Sequence, residues 1–115
     1  TLDEHALDRL IPFCNGIGLE TYVRVSESTQ PRIQMSLDIG ANGVILPQIR
    51  DLAHARNAAA YSKYPLRGTR GLGYSRTQLY GAATNEFIAM ENQIRRCYVM
   101  IETAEAFETL LDTCD

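Results

Sequence analysis

The chain lacks several features that would point to particular classes of protein. It has no tryptophan and no basic excess, since 11 Lys and Arg residues are outnumbered by 14 Asp and Glu residues, for a net charge of -3. Proteins that bind nucleic acid usually carry a basic excess, so we expect no nucleic-acid partner. No apolar run approaches the roughly 20 residues of a membrane-spanning helix, and the first residues do not resemble a secretory signal peptide. We therefore expect no membrane partner.

Cysteine is scarce as well, and the spacing of the cysteines argues against a disulfide-rich protein and against a zinc-binding protein. Cys14, Cys97 and Cys114 are odd in number and widely spaced. They lack the paired spacing of a disulfide framework or a zinc site, and they are typical of buried thiols in a reducing compartment. The predicted location is therefore the cytoplasm. The length of 115 residues corresponds to at most one domain.

What the chain does contain is organised around one segment, residues 95–105. The apolar run at residues 97–101 predicts a strand that is buried on both faces, as in parallel sheets. Glu102 follows this run, and Thr103 is a suitable N-cap for the helical pattern that comes next. This order predicts that the Glu102 carboxylate lies at the carboxyl edge of a sheet, where ligands bind in α/β proteins.

The rest of the chain alternates between strand and helix patterns. Strands are predicted at residues 21–25 and 44–47, and helices at residues 2–14, 30–39, 51–61 and 83–93. Pro12 is expected to kink the first helix or to end it near Ile11. The alternation predicts an α/β fold with a parallel sheet. Three strands would leave two sheet edges unpaired, and the sequence begins and ends in helical patterns, so we expect a fragment of a longer protein.

Two charged residues stand at the carboxyl ends of predicted strands, where a buried charge needs a partner. Arg24 lies between Val23 and Val25, and Glu102 follows Ile101. A guanidinium can hold a carboxylate through two parallel hydrogen bonds, and hard divalent cations prefer carboxylate oxygen. The pattern fits an anion site at Arg24 and a metal site at Glu102. It fits equally well a simple ion pair between the two residues.

A long glycine-rich loop is predicted at residues 64–76, and long loops in compact domains tend to be functional. Its arginines, which could bind phosphate, are Arg67, Arg70 and Arg76. Residues 71–73 lack the other parts of a P-loop or a dinucleotide fingerprint, so a solvated loop that packs on a neighbouring subunit is the favoured interpretation. His5 and His54 lie in helical segments without a nucleophile motif beside them, and we interpret them as surface or hydrogen-bonded histidines.

Four segments share the order and approximate spacing of the motifs of one enzyme family. They are residues 22–25, 37–47, 63–73 and 99–106. Together they resemble the HpcH/HpaI family of class II 2-oxo-acid aldolases, and the resemblance covers almost the whole chain. It implies that residues 1–115 are the central part of a single aldolase barrel domain. The fold would be a partial TIM (β/α)8 barrel containing about the third to fifth strands and their helices.

The same resemblance implies an activity and a site. The full-length protein would be a metal-dependent carbon–carbon lyase that cleaves hydroxy-2-oxo acids to pyruvate and an aldehyde. Arg24 would be the catalytic and substrate-binding residue that holds the pyruvate moiety and steadies its enolate. Glu102 would be one of two carboxylate ligands of a Mg²⁺ or Mn²⁺ ion. The implied partners are the small 2-oxo acid and aldehyde substrates and further copies of the chain in a homo-oligomer.

Three departures from the family pattern restrict what the resemblance implies. The Glu4-His5 pair mimics the motif of the family's catalytic histidine, but an ungapped alignment places that histidine upstream of Thr1, so we reject His5 as catalytic. The second metal ligand, an aspartate, is expected beyond Asp115. Met100 stands where many members carry glutamine, which leaves the exact substrate open.

Two other functions stay open at this point. One is an enzyme like the citrate lyase β-subunit or malyl-CoA lyase, acting on CoA thioesters, although the loop at residues 68–73 fits the hydroxy-oxo-acid aldolases better. The other is an inactive fragment or interaction module, because the chain carries one of two expected metal carboxylates and no credible general base. We expect the 115-residue chain alone to be inactive.

Overall fold

The computed structural model describes residues 3–73 and 84–109, and its sheet contains three parallel strands in the order β1-β2-β3. The strands are β1 at Tyr22–Arg24, β2 at Gly43–Leu46 and β3 at Arg96–Val99. Val44 of β2 pairs with Val23 on one side and with Cys97 on the other. The alternation of strands and helices and the parallel sheet confirm the predicted α/β fold.

Helices flank the strands throughout the described residues. They are α1 at Glu4–Gly16, α2 at Gln30–Ile39, α3 at Leu52–Ala60, α4 at Asn85–Ile94 and α5 at Ala104–Glu108. All except α2 begin at an Asp or Thr side chain that accepts an N–H from the first turn. Helix α2 instead has a proline in its first turn and ends at Gly40, whose φ of 115° is left-handed. Within residues 3–73 and 84–109, no helix is long and apolar enough to cross a membrane.

The hydrophobic core lies between one face of the sheet and helices α2 and α3. The strand residues Val23, Val44, Leu46 and Cys97 face this core, together with Ile33 and Leu37 of α2 and Ala55 and Ala58 of α3. The small alanines let α3 pack close to the strands. Arg24, Ile45 and Tyr98 are matched in register and share the opposite face, because successive residues of a strand alternate between faces.

Two local predictions are wrong, at least in part. Helix α1 does not end near Ile11 but continues through Pro12 to Gly16, because Ile11 and Cys14 are buried on either side of the proline and packing holds the helix together there. The alternative, a kink at Pro12, stays a prediction. The strand predicted at residues 97–101 is not buried on both faces. Instead β3 exposes 47% of Tyr98, since in the described residues it pairs with β2 alone and only one of its faces joins the core.

Candidate functional site

The carboxyl ends of the three strands bring Arg24, Gln48 and Glu102 to one edge of the sheet. Arg24 is the last residue of β1, Gln48 follows β2 by two residues, and Glu102 follows β3 by three residues. Parallel strands end at the same edge, and all three residues are exposed there. Arg24 and Glu102 thus lie at the edge where the sequence predicted them, while Gln48 was not singled out.

The Glu102 carboxylate is held by the backbone of Gln48. The Gln48 N–H donates to Glu102 Oε2 at 2.9 Å. A hydrogen bond to a charged oxygen is stronger than one between neutral groups, and it favours one orientation of the carboxylate. Within the described parts of the chain, no ion pair joins Arg24 to Glu102, which removes the simple-ion-pair interpretation for those residues.

The peptide bond between Pro47 and Gln48 contacts both neighbouring connections. Its carbonyl, Pro47 O, accepts a hydrogen bond of 2.8 Å from Ser28 Oγ in the loop between β1 and α2. Its N–H is the donor to Glu102. Gln48 also has a φ of 54°, in the left-handed region that residues other than glycine rarely adopt. One peptide unit therefore connects the loop that follows β1 to Glu102.

Arg24 also lines a groove that runs along the free edge of β1. This groove has a volume of about 710 Å³ and lies between β1 and α1. Its charged lining includes Glu20, Arg24 and Arg32, and its apolar lining includes Leu7 and Met35. The groove is open to ligands or to further polypeptide.

Glu102 fits as a single ligand of a divalent cation, but the described residues do not complete a metal site. Its Oε2 accepts the Gln48 N–H, and both carboxylate oxygens keep lone pairs that could bind a cation. In residues 3–73 and 84–109, no group of three or more His, Cys, Asp and Glu side chains is arranged to hold a metal ion. The chemistry of a carboxylate suits Mg²⁺ or Mn²⁺, and the remaining ligands would have to come from elsewhere.

Arg70, one of the loop arginines, lies away from this edge in the protein interior. It is 1% exposed, and its Nη2 lies 2.8 Å from Asp38 Oδ1 while its Nη1 lies 3.5 Å from Glu91 Oε2. Its guanidinium carbon stands 4.4 Å from the centre of the Tyr64 ring. The prediction of a solvated loop is therefore wrong at Arg70, whereas Arg67 is exposed, and packing of the loop on a neighbouring subunit stays a prediction. Arg76 lies outside the described residues.

Further charged groups join Arg70 near the amino end of β3, and we call this set the Arg70–Glu91 cluster: Asp38, Lys63, Arg70, Glu91 and Arg95. Both oxygens of Glu91 accept from Arg95 at 2.8 Å. Lys63 Nζ donates to the backbone carbonyls of Asn92 and Arg95. Burial lowers the pKa of Lys63, and burial raises the pKa of the neighbouring Cys97 thiol. The cluster fastens α4 and the loop to the sheet.

The two histidines play the parts that the sequence indicated. His54 Nδ1 accepts the backbone N–H of Arg50 at 3.2 Å. The backbone N–H of His54 donates to the side chain of the cap residue Asp51. His5 is exposed on α1. The interpretation as hydrogen-bonded and surface histidines is confirmed.

Comparison with known proteins identifies the protein family of this chain. The model of the HpcH/HpaI aldolase/citrate lyase family matches residues 3–112. The chain belongs to this family. The resemblance inferred from the four sequence segments is therefore confirmed.

Two aldolases are among the proteins that this chain matches in sequence. The 4-hydroxy-2-oxo-heptane-1,7-dioate aldolase of Salmonella typhimurium is 33% identical over 95 residues, which cover 81% of this chain and 36% of that protein. The 2-keto-3-deoxy-L-rhamnonate aldolase of Escherichia coli O9:H4 (strain HS) is 28% identical over 113 residues, which cover 96% of this chain and 40% of that protein. The chain thus spans 36–40% of the length of these relatives.

Solved structures agree on the fold. The citrate synthase SbnG superposes with a TM-score of 0.84 at 24% identity, covering 98% of this chain and 42% of that one. The HpcH/HpaI aldolase of Desulfitobacterium hafniense DCB-2 superposes with a TM-score of 0.83 at 22% identity, covering 98% of this chain and 44% of that one. At these identities the likeness concerns the fold alone.

Proposed function

We propose that the protein, in its natural length, is a metal-dependent aldolase that cleaves hydroxy-2-oxo acids to pyruvate and an aldehyde. The observation that carries this proposal is the position of Arg24 and Glu102 at one carboxyl edge of a parallel sheet, within a chain of the HpcH/HpaI family. An exposed guanidinium and an exposed carboxylate at this edge are the two groups such a reaction needs from this region. Relatives that are aldolases of hydroxy-oxo acids support the same class of substrate.

In this proposal Arg24 binds the carboxylate of the 2-oxo acid. A guanidinium can donate two parallel N–H bonds to a carboxylate, which fixes the orientation of the substrate as well as its position. The remaining positive charge favours the negative charge that develops on the substrate oxygen as the carbon–carbon bond breaks. The absence of an ion pair to Glu102 among the described residues leaves the guanidinium uncommitted to that carboxylate.

Glu102 contributes one carboxylate ligand to a Mg²⁺ or Mn²⁺ ion. The bound metal ion would act as a Lewis acid on the 2-oxo group. Either oxygen of Glu102 could bind the ion, while the Gln48 N–H that Oε2 accepts restricts the orientation of the carboxylate. The second carboxylate ligand and the catalytic base would come from parts of the protein outside this sequence.

We further propose that residues 1–115 form about the third to fifth strands of a (β/α)8 barrel. The edge of β1 and most of β3 are uncovered, and the groove beside β1 has room for a preceding strand. Closure of a barrel would bury Tyr98 and pair both edges. On the same family resemblance, we propose a cytoplasmic homo-oligomer.

A second candidate is a lyase or synthase that acts on CoA thioesters or citrate. It is favoured by the citrate lyase half of the family description. The two candidates differ in substrate but share the arginine and the carboxylate. Rates of the natural-length protein with a CoA thioester and with a hydroxy-2-oxo acid would separate them.

The test of the first candidate is an assay of the natural-length protein with pyruvate and short aldehydes. We expect activity that a chelator abolishes and that Mg²⁺ or Mn²⁺ restores. Arg24→Lys should lower kcat/KM by roughly 100-fold, because lysine cannot make the paired contact. Glu102→Gln should weaken Mn²⁺ binding by more than the roughly 10- to 100-fold that loss of an outer partner costs.

Matched controls are available on nearby helices. Arg56→Lys on α3 and Glu108→Gln on α5 make the same chemical changes at exposed positions. Both controls should retain wild-type activity and Mn²⁺ affinity. Turnover that is insensitive to a chelator would refute the metal-dependent aldolase, and no turnover of any hydroxy-oxo acid or CoA thioester would favour a non-catalytic module.

A further inference from the structure

The bend that follows β2 adopts a backbone conformation that a glutamine side chain does not favour. Gln48 has a φ of 54°, whereas glycine is the usual residue in this region. Its neighbours Pro47 and Ile49 are buried, so the backbone is fixed on both sides of the exposed Gln48. Unfavourable backbone conformations persist only where the surroundings determine them, and they concentrate at functional sites.

The contacts of this bend indicate what the conformation achieves. Ser28 Oγ donates to Pro47 O at 2.8 Å, and the N–H on the other side of the same peptide donates to Glu102 Oε2 at 2.9 Å. A peptide group is planar and rigid, so fixing its carbonyl also fixes the direction of its N–H. The Ser28 hydroxyl therefore helps to aim the donor that holds Glu102.

We infer that Ser28 and the Pro47–Gln48 peptide are a positioning device for the Glu102 carboxylate. The device holds Oε2 through a charge-assisted hydrogen bond and so restricts the orientation in which the carboxylate can meet a cation. Groups that hold a metal ligand from behind commonly affect metal affinity although they never touch the metal. This inference rests on the proposed function, since it requires Glu102 to be a metal ligand.

The device acts through the backbone of Gln48, and it is coupled to the loop that follows β1. The donor is a main-chain N–H, so the Gln48 side chain is dispensable for it. Ser28 is half-buried and lies on the loop that follows the Arg24 strand, so the same peptide couples the placement of Glu102 to that loop. A bend that served only the chain path from β2 to α3 would affect stability but not metal affinity.

The test measures the dissociation constant of Mn²⁺ by the electron paramagnetic resonance signal of the free ion, using folded protein of natural length. Ser28→Ala should weaken Mn²⁺ binding about tenfold, and Ser28→Thr, which keeps the hydroxyl, should restore it. Gln48→Gly keeps the N–H and tolerates a positive φ, so it should bind Mn²⁺ as the wild type does. The control is Ser62→Ala, which removes a buried hydroxyl bonded to Ala59 O and should leave Mn²⁺ affinity unchanged.

The outcomes separate this inference from the proposed function. If Glu102→Gln leaves Mn²⁺ affinity unchanged, Glu102 is not a ligand, and both the proposed metal site and its positioning device are refuted. If Glu102→Gln weakens binding but Ser28→Ala does not, only the positioning device is refuted. A loss of affinity in Gln48→Gly as large as that in Ser28→Ala would also overturn it, because the Gln48 side chain would then be the group that matters.

Discussion

The two ends of the sheet differ in the burial of their charged side chains. At the amino end, Arg70 and Glu91 are almost fully buried and pair with each other and with their neighbours. At the carboxyl end, Arg24 and Glu102 are exposed and form no ion pair with each other in the described residues. Buried charges must be paired where they stand, whereas exposed charges can exchange water for a ligand. The charges at the amino end therefore stabilise the fold, whereas those at the carboxyl end are able to bind a ligand.

The comparison also shows that local sequence gives little indication of which charges belong to which end. Arg70 lies within a glycine-rich stretch that resembles a ligand-binding loop, yet its guanidinium packs on Tyr64 and pairs with Asp38. Arg24 lies between two valines, as a buried residue would, yet it is exposed. Burial depends on which helices cover a residue, and that is settled by tertiary structure.

The largest effect on stability is expected from Glu91→Ala. It would leave Arg70 and Arg95 without the carboxylate that both of them contact. Removing one partner of a buried ion pair typically costs about 3–5 kcal/mol, and here the loss falls mainly on Arg95, because Arg70 keeps its ion pair with Asp38. Urea denaturation of the natural-length protein measures this loss, and Glu91→Gln gives a milder variant if the alanine variant does not fold.

The control for Glu91 is Glu86→Ala on the same helix. Glu86 is exposed in the first turn of α4, where a carboxylate contributes about 1 kcal/mol or less through the helix dipole. If Glu91→Ala costs no more than this control, the Arg70–Glu91 cluster behaves as a surface pair, and the contrast between the two ends of the sheet is lost.

A smaller effect is expected from Gly68→Ala in the loop that delivers Arg70. A Cβ at this position would lie 2.5 Å from Lys63 O and closer still to Ala60 O. Those two carbonyls accept the N–H groups of Arg70 and Thr69, so a methyl group would push the loop away from its own hydrogen bonds. Overpacking of this kind costs typically about 1–3 kcal/mol.

Gly16→Ala is the matched control for this substitution. A Cβ at Gly16 meets nothing within 4 Å, and the residue is the last of α1. Alanine there should be neutral or stabilise the protein by about 0.4–1 kcal/mol, by restricting the unfolded chain. Equal melting temperatures for the two alanine variants would contradict the close approach at Gly68.

The sequence predicts the elements of this fold well because their signals are local. Helix α2 occupies residues 30–39, as predicted, since a proline in the first turn and a glycine just past the end mark its limits. Thr103 was placed correctly at the start of a helix, because an N-cap residue needs only a few neighbouring residues to recognise. The strand before it was predicted to reach Ile101 but ends at Val99, so Glu102 lies three residues beyond it.

The features that the sequence did not predict depend on residues far apart in the chain. The contacts of Arg70 with Asp38 and Glu91 span more than 20 residues in either direction. The hydrogen bond from Gln48 to Glu102 spans 54 residues, and no local pattern marks a positive φ at a glutamine.

The smallest effect on stability is expected at the carboxyl end itself. Arg24→Lys and Glu102→Gln should each change the free energy of unfolding by no more than about 0.5 kcal/mol, because exposed side chains outside a buried network contribute little. Arg24→Lys should lose catalysis and Glu102→Gln should lose Mn²⁺ affinity, so substitutions at this end should impair function without lowering stability. The change in the free energy of unfolding is measured from the shift of the urea midpoint, provided that the dependence of this free energy on urea concentration is unchanged. A loss comparable to that of Glu91→Ala would mean that Arg24 or Glu102 belongs to a buried ion pair in the complete protein, and the edge would then be structural rather than catalytic.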